Sequence, residues 1–293
     1  MSENKITVQQ RKMIIEPAKL HFQLQGEGFP ILCLHGHPGS AQCLSVFTNS
    51  LCQNFKTIAP DLRGYGKSYT KTNFEMTQHL IDLEKLLEQL QISRYLILGW
   101  SLGGIIGMEL ALRNPEQVAG LILIGTAAKP RNNHPPITWQ DNLYTGLAGI
   151  INWFFPGWQW NINTFGKRSL FRYLISRHTP ATYHYLAKEA VPAYLQTSKQ
   201  ATRALNQALR AGYNRLADIP QIQSPCLVLA GEGDRHITSE SSQETALHLK
   251  NAAWQCYPNT AHLFPWEIPN QVLTDIKNWI EHHQTHFRLP NDN

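Results

Sequence analysis

The chain has 293 residues, 42% apolar and 16% charged, which is enough to bury a large core and too apolar for a disordered polymer. Its 19 Gly and 17 Pro are dispersed, no apolar run is long enough to span a bilayer, and the polar stretch from Met1 to Arg11 lacks the apolar core of a signal peptide. The net charge of +5 is uneven: residues 129–220 hold 11 Lys and Arg against Asp141, Glu189 and Asp218, a local excess that points to an anionic ligand or surface facing that segment.

Arg11 to Glu16 and Lys19 to Gln25 read as an opening hairpin, with turn signals at Pro17 and at Gly26 to Gly28. Pro30 to Leu34 is a continuous apolar run, which predicts a strand covered on both faces, as in a parallel sheet. Phe55 to Pro60 is the next strand. Thr77 to Leu90 sets Leu80, Leu83, Leu86, Leu87 and Leu90 at helical spacing. Arg94 to Leu98 is a strand running into Gly99-Trp100-Ser101-Leu102-Gly103-Gly104, and a helix follows to Arg113, stopped by Asn114-Pro115. Val118 to Ile124 and Pro225 to Ala230 are further buried strands, Ala253 to Tyr257 a shorter one, and Gln271 to His282 a closing helix.

Between Ala127 and Pro220 the alternation of strand and helix lapses. That segment is helix-like and aromatic, broken by Pro135-Pro136, Pro156-Gly157 and Pro180. The expected organisation is a core of residues 1–128 and 221–293 with residues 129–220 inserted as a helical cap. Five cysteines (Cys33, Cys43, Cys52, Cys226, Cys256) form no CxxC pair, and Cys33 and Cys226 lie inside apolar runs, so a reduced, cytoplasmic setting is expected.

Gly99-Trp100-Ser101-Leu102-Gly103 fits G-x-S-x-G after a predicted strand and before a helix. A nucleophile on so tight a turn needs glycine two residues either side, where Cβ atoms would collide. Serine is a poor nucleophile at its own pKa and needs a base, itself oriented by an acid. Of thirteen histidines, His262 stands out on the loop after the last predicted strand. The acid is read as Asp234, beyond the glycine turn after Cys226 to Ala230, with Glu232 a local rival. Backbone donors for an oxyanion are expected at Leu102 and, on the loop after Leu34, at His37, since Pro38 has no N–H. His35 and His37 at i and i+2 lack a third ligand at ordered spacing, so no metal is expected.

These four pieces resemble the α/β-hydrolase superfamily: His35-Gly36-His37-Pro38-Gly39, the loop Asp61 to Ser68, Gly99 to Gly104, and the late Asp234 and His262. The resemblance implies a mostly parallel eight-stranded sheet and a cap where the insertion lies, and the expected chemistry calls for no cofactor. The elbow is similar to that of pimeloyl-ester carboxylesterases. The His-Gly-x-Pro-Gly loop also resembles epoxide hydrolases and haloalkane dehalogenases, which use an aspartate nucleophile where this chain has Ser101. Trp100 and His35 are placed as walls of the substrate pocket, whereas Arg63 reads as structural. The expected reaction is hydrolysis of a small-molecule ester with an apolar portion through an acyl-enzyme. C–C bond hydrolysis, lyase or perhydrolase chemistry on the same triad, or a low-turnover receptor, are the alternatives.

Four of the eight tryptophans fall between Trp139 and Trp160. Two readings stay open for the stretch Leu143 to Trp160: a cap helix lining an apolar acyl pocket, or a peripheral contact with anionic lipid helped by Lys167, Arg168 and Arg172. The basic residues form no nucleic-acid-binding motif.

Overall fold

The computed structural model describes residues 9–15 and 18–287. Eight strands form one sheet: β1 (Gln9–Ile15), β2 (Ala18–Gln25), β3 (Pro30–Leu34), β4 (Lys56–Pro60), β5 (Tyr95–Trp100), β6 (Val118–Ile124), β7 (Cys226–Gly231) and β8 (Ala252–Tyr257). Their order across the sheet is β1-β2-β4-β3-β5-β6-β7-β8. Strand β2 pairs antiparallel with β1 and β4, and each remaining pairing is parallel. The opening hairpin forms as expected, while the turn signal at Pro17 and the polar stretch before Gln9 lie outside the described residues.

The helices are α1 (Ser45–Leu51), α2 (Thr77–Gln89), α3 (Leu102–Arg113), α4 (Trp139–Phe154), α5 (Gln159–Thr164), α6 (Pro180–Tyr185), α7 (Val191–Leu195), α8 (Lys199–Arg210), α9 (Ser239–His248), α10 (Phe264–Glu267) and α11 (Pro269–His282). Helices α4 to α8 all lie between β6 and β7, where the strand rhythm of the sequence lapses. Strands β3, β5, β6 and β7 are buried along their whole lengths, as unbroken apolar runs predict. Alternate side chains serve two cores. Leu32, Leu34, Ile97, Leu121, Leu123 and Val228 cluster with residues of α2 and α3, whereas Ile31, Cys33, Leu98, Ile122, Ile124 and Leu229 cluster with those of α1 and α11.

Two helices carry no sequence signal that would reveal them. Helix α9 buries Ser241, Ser242, Thr245 and Ala246, so its inner face is small and polar rather than apolar. Helix α1 has only two turns and buries Phe47, Thr48 and Leu51. Both form because tertiary packing supplies what local pattern does not.

Helix α4 corrects the acyl-pocket reading. Its buried side is Asp141, Ala148 and Asn152, while Trp139, Leu143, Ile150, Trp153 and Phe154 face outward. The polar groups on this side take hydrogen bonds. Asp141 and Thr138 form a capping box, Asn152 donates to the Tyr183 carbonyl (2.7 Å) and accepts from the Gly157 N–H (2.9 Å), and Asn161 donates to the Ala148 carbonyl (3.0 Å). The inserted helices are tied to the rest of the chain by polar contacts. Ser45 donates to Glu189 (2.9 Å), Arg215 to Glu109 (2.7 Å), and the Ser176 N–H to Glu267 (3.0 Å).

Arg63 is structural, as the sequence suggests: it is buried in an ion pair with Asp82 of α2, Nε to Oδ2 2.7 Å. Close by, His79 lies between the rings of Tyr65 and Phe74 with neither ring nitrogen hydrogen-bonded. Burial, reinforced by the nearby His35 and Arg63, pushes its pKa down from 6.5 to about 3. The unfolded chain therefore takes up a proton at this site as pH falls below 6.5, and the folded chain does not until about 3. Folding stability is lost as pH falls through that window, by about 2 kcal/mol at pH 5 for this group. Urea unfolding of His79→Leu at pH 7.5 and pH 5 is expected to show a loss smaller than that of wild type by about that amount. An identical loss in both proteins would place the acid sensitivity elsewhere.

Candidate active site

Strand β5 and helix α3 are separated by a single residue. That residue, Ser101, has φ 54° and ψ −116°, a conformation that costs a non-glycine residue about 1–3 kcal/mol. The surroundings hold it there. The Ser101 N–H donates to the Ile124 carbonyl (2.9 Å), and the Thr126 hydroxyl donates to the Ser101 carbonyl (2.8 Å). A Cβ on Gly99 would lie 2.5 Å from the Gly103 carbonyl oxygen, and one on Gly103 would overlap the Leu34 carbonyl, so the two glycines of the motif meet the demand that the sequence pattern implied.

The sheet brings the other loops to the same edge. Leu34 pairs with Gly99 across β3 and β5, which sets the His35 to Gly39 loop beside Ser101. Strand order reverses around β3, which lies between β4 and β5, and such a switch point leaves a crevice at the carboxyl ends of the strands. The loops after β7 and β8 are stitched together there: the Gly233 N–H donates to the Thr260 carbonyl (2.8 Å) and the Glu232 N–H to the Tyr257 carbonyl (3.0 Å).

Three side chains meet at this edge. His262 Nδ1 lies 2.7 Å from Asp234 Oδ2, and His262 Nε2 lies 3.2 Å from Ser101 Oγ. A carboxylate oxygen only accepts, so Nδ1 carries the proton and donates, leaving the Nε2 lone pair to accept from the Ser101 hydroxyl. The other oxygen of Asp234 accepts from the N–H groups of His236 (2.8 Å) and Ile237 (3.0 Å), which fixes the carboxylate plane. All three residues are buried. Glu232, the rival acid, is exposed and accepts from the Asn259 N–H (3.2 Å) instead.

The N–H groups of His37 and Leu102 donate to no acceptor among the described residues. Leu102 opens α3, where the helix dipole favours negative charge. The His37 ring is half-buried with Nδ1 3.0 Å from the Tyr65 hydroxyl, and burial followed by the neighbouring His35 pushes its pKa down to about 4.

The placement of His35 in the pocket wall is not what the structure shows. His35 is fully buried, with Nδ1 donating to the Gly36 carbonyl (2.8 Å) and Nε2 accepting from the Leu62 N–H (3.0 Å). It ties the loop after β3 to the loop after β4, and both ring nitrogens are used in doing so. Trp100 does border the site: its ring lies 5.6 Å from that of His262 and 4.6 Å, edge to face, from Trp266. Tyr185 stacks on Trp266 at 4.4 Å.

Three neighbours of the site were not apparent from the sequence. His236 packs edge-on against His262 at 4.8 Å, and burial, then the proximity of His262, pushes its pKa down to about 4. Its position two residues after Asp234 was the available signal. Glu267 accepts from the Ala261 N–H (2.8 Å) as well as from Ser176, so it joins the His262 loop to the inserted helices. Trp266 precedes it on α10.

Known proteins share this arrangement of elements. The chain matches a family model described as alpha/beta hydrolase fold over residues 30–269. It is 26% identical over 253 residues to epoxide hydrolase 4 of Homo sapiens, covering 80% of this chain and 67% of that one. It is 25% identical over 272 residues to the pimeloyl-acyl carrier protein methyl ester esterase of Nitrosomonas europaea, covering 88% and 98% of the two chains. A thermophilic esterase from Thermogutta terrifontis, solved with malate bound, is similar in fold with TM-score 0.70 at 24% identity, covering 94% of this chain and 99% of that one. Because the matched span runs from β3 through the loop that carries His262, the chain belongs to the alpha/beta hydrolase fold family and is a hydrolase.

Proposed function

We propose that this hydrolase cleaves carboxylic esters through an acyl-enzyme on Ser101, with residues 129–220 as its cap and no cofactor. The observation that carries the reading is the unbroken hydrogen-bond chain from Ser101 Oγ through both nitrogens of His262 to Asp234. Ser101 Oγ attacks the ester carbonyl as its proton passes to His262 Nε2. Asp234, held by the N–H groups of His236 and Ile237, stabilises the imidazolium that forms. The N–H groups of His37 and Leu102 receive the oxyanion, each worth about 10²–10³ in rate. His262 then protonates the leaving alcohol, and water, deprotonated by the same nitrogen, releases the acid.

The environment suits this sequence of charges. With its pKa near 4, His236 stays neutral at pH 7 and sets no cation against the imidazolium. Trp100 and Trp266 offer apolar surface beside His262, which fits a substrate with an apolar portion. The relative from Nitrosomonas europaea is named for cleaving a methyl ester, which supports an ester over an epoxide, as does a hydroxyl rather than a carboxylate at position 101. Five free cysteines, four of them buried, fit a reducing compartment such as the cytoplasm.

A fluorophosphonate probe is expected to label the wild type and not Ser101→Ala, and that variant should lose at least about 10³-fold in kcat on p-nitrophenyl esters while melting as wild type does. Labelling that persists in the variant would remove Ser101 from the role. For Asp234→Asn, which preserves shape but no longer dictates the tautomer, kcat should fall by about 10⁴-fold with KM little changed. A loss below about tenfold would mean that another group orients His262. No turnover of esters of any acyl length would instead favour C–C bond chemistry on the same side chains.

A further inference from the structure

The inserted segment presents a surface that ordinary folding does not explain. Helix α4 is amphipathic in reverse. At 3.6 residues per turn, its outward residues Trp139, Leu143, Ile150, Trp153 and Phe154 fall within roughly 100° of arc, and the buried Asp141, Ala148 and Asn152 lie on the opposite side. Trp139 and Phe154 are each 71% exposed and Ile150 63%. The apolar surface continues past the helix through Phe155, 61% exposed, and on through rings in mutual contact: Phe155 to Trp158 at 5.6 Å, Trp158 to Trp160 at 5.0 Å, and Trp160 to Phe165 at 5.6 Å. Exposed apolar surface of this extent marks an interaction site.

Charge decides between occupants. Residues 142–188 contain no Asp or Glu and five cations, Lys167, Arg168, Arg172, Arg177 and Lys188. Arg172 pairs with Asp141, but Lys167 and Arg168, two and three residues beyond Phe165, are exposed and make no ion pair among the described residues. Tryptophan at the apolar rim with cations beside it matches the chemistry of an anionic bilayer surface, where indoles sit at headgroup level and each cation adds about 1 kcal/mol. A two-fold pairing with a second copy through this face would bring two basic segments together with no acid from either to neutralise them. No helix among the described residues is long and apolar enough to cross a membrane, so the contact is one of surface insertion.

We propose that the outward face of α4 and the Phe155–Phe165 aromatic cluster form a docking surface for anionic lipid bilayers, with Lys167 and Arg168 engaging the headgroups. The surface is separate from the Ser101 site, and its function does not require turnover.

Sedimentation of the full chain with phosphatidylcholine vesicles, with and without phosphatidylglycerol, tests this. Binding is expected with the anionic vesicles, weakened by salt, with tryptophan fluorescence quenched by lipids brominated near the headgroup end of the acyl chains. Phe154→Ser with Trp158→Ser should lower vesicle affinity by roughly tenfold or more, and Lys167→Glu with Arg168→Glu should abolish the preference for phosphatidylglycerol. Unchanged circular-dichroism melting shows that these variants fold. Ser101→Ala should bind as wild type does, which keeps this result independent of the esterase reading. A wild type that stays in the supernatant overturns the proposal, as does equal binding by the aromatic double variant. So does a dimer in light scattering that Phe154→Ser dissolves, because the face would then pair with its own copy.

Discussion

Everything at the active edge depends on one backbone conformation, the left-handed turn at Ser101. With φ at 54°, the chain leaves β5 and starts α3 without an intervening loop, and the hydroxyl is held at the rim of the sheet rather than inside it. Strain of this sort persists only where surroundings over-determine it. Here they do so through β6, whose Ile124 carbonyl and following Thr126 hydroxyl grip both sides of the serine, and through two glycines that let the strand, the helix and Leu34 approach closely. The same parallel pairing that buries the core thus fixes the reactive group, and stability and chemistry share a scaffold.

A second layer of contacts sets the electrostatics. Asp234 reaches His262 with one oxygen because two backbone N–H groups occupy the other. His236 packs edge-on against His262, and with its pKa pushed down to about 4 it stands beside that ring without adding charge. His35, fully buried, braces the loop that carries the His37 N–H against Leu62. Glu267 links the His262 loop to the backbone at Ser176, which ties the inserted segment to the loop that carries His262.

The inserted segment follows a different logic. Helix α4 turns small and polar groups inward and sends Trp139, Trp153 and Phe154 outward, although Ile162, Phe171 and Tyr183 of the same segment are buried. Trp139, Trp153 and Phe154 belong to neither buried cluster, so packing of the sheet does not call on them. A lipid-docking face on the segment that also touches the His262 loop would place the active site near the source of an apolar ester. Solubility of such an ester in water would then matter less than its concentration in the bilayer.

Much of this protein was legible from residue order alone. Continuous apolar runs announced the buried parallel strands, because covering both faces removes any alternation. The glycines around Ser101 announced the turn, because only a missing Cβ permits it, and the positions of Asp234 and His262 after strands placed them at one edge. Helices α1 and α9 were not legible, since their inner faces are short or polar and gain their order from neighbours. Nor were the partners of His35, whose two ring nitrogens bind backbone groups one and 27 positions away, or the neutral His236 beside the base. The apolar character of α4 was visible, but not its direction: periodicity shows that a helix has an apolar side, and only the surrounding fold decides whether that side meets protein or solvent.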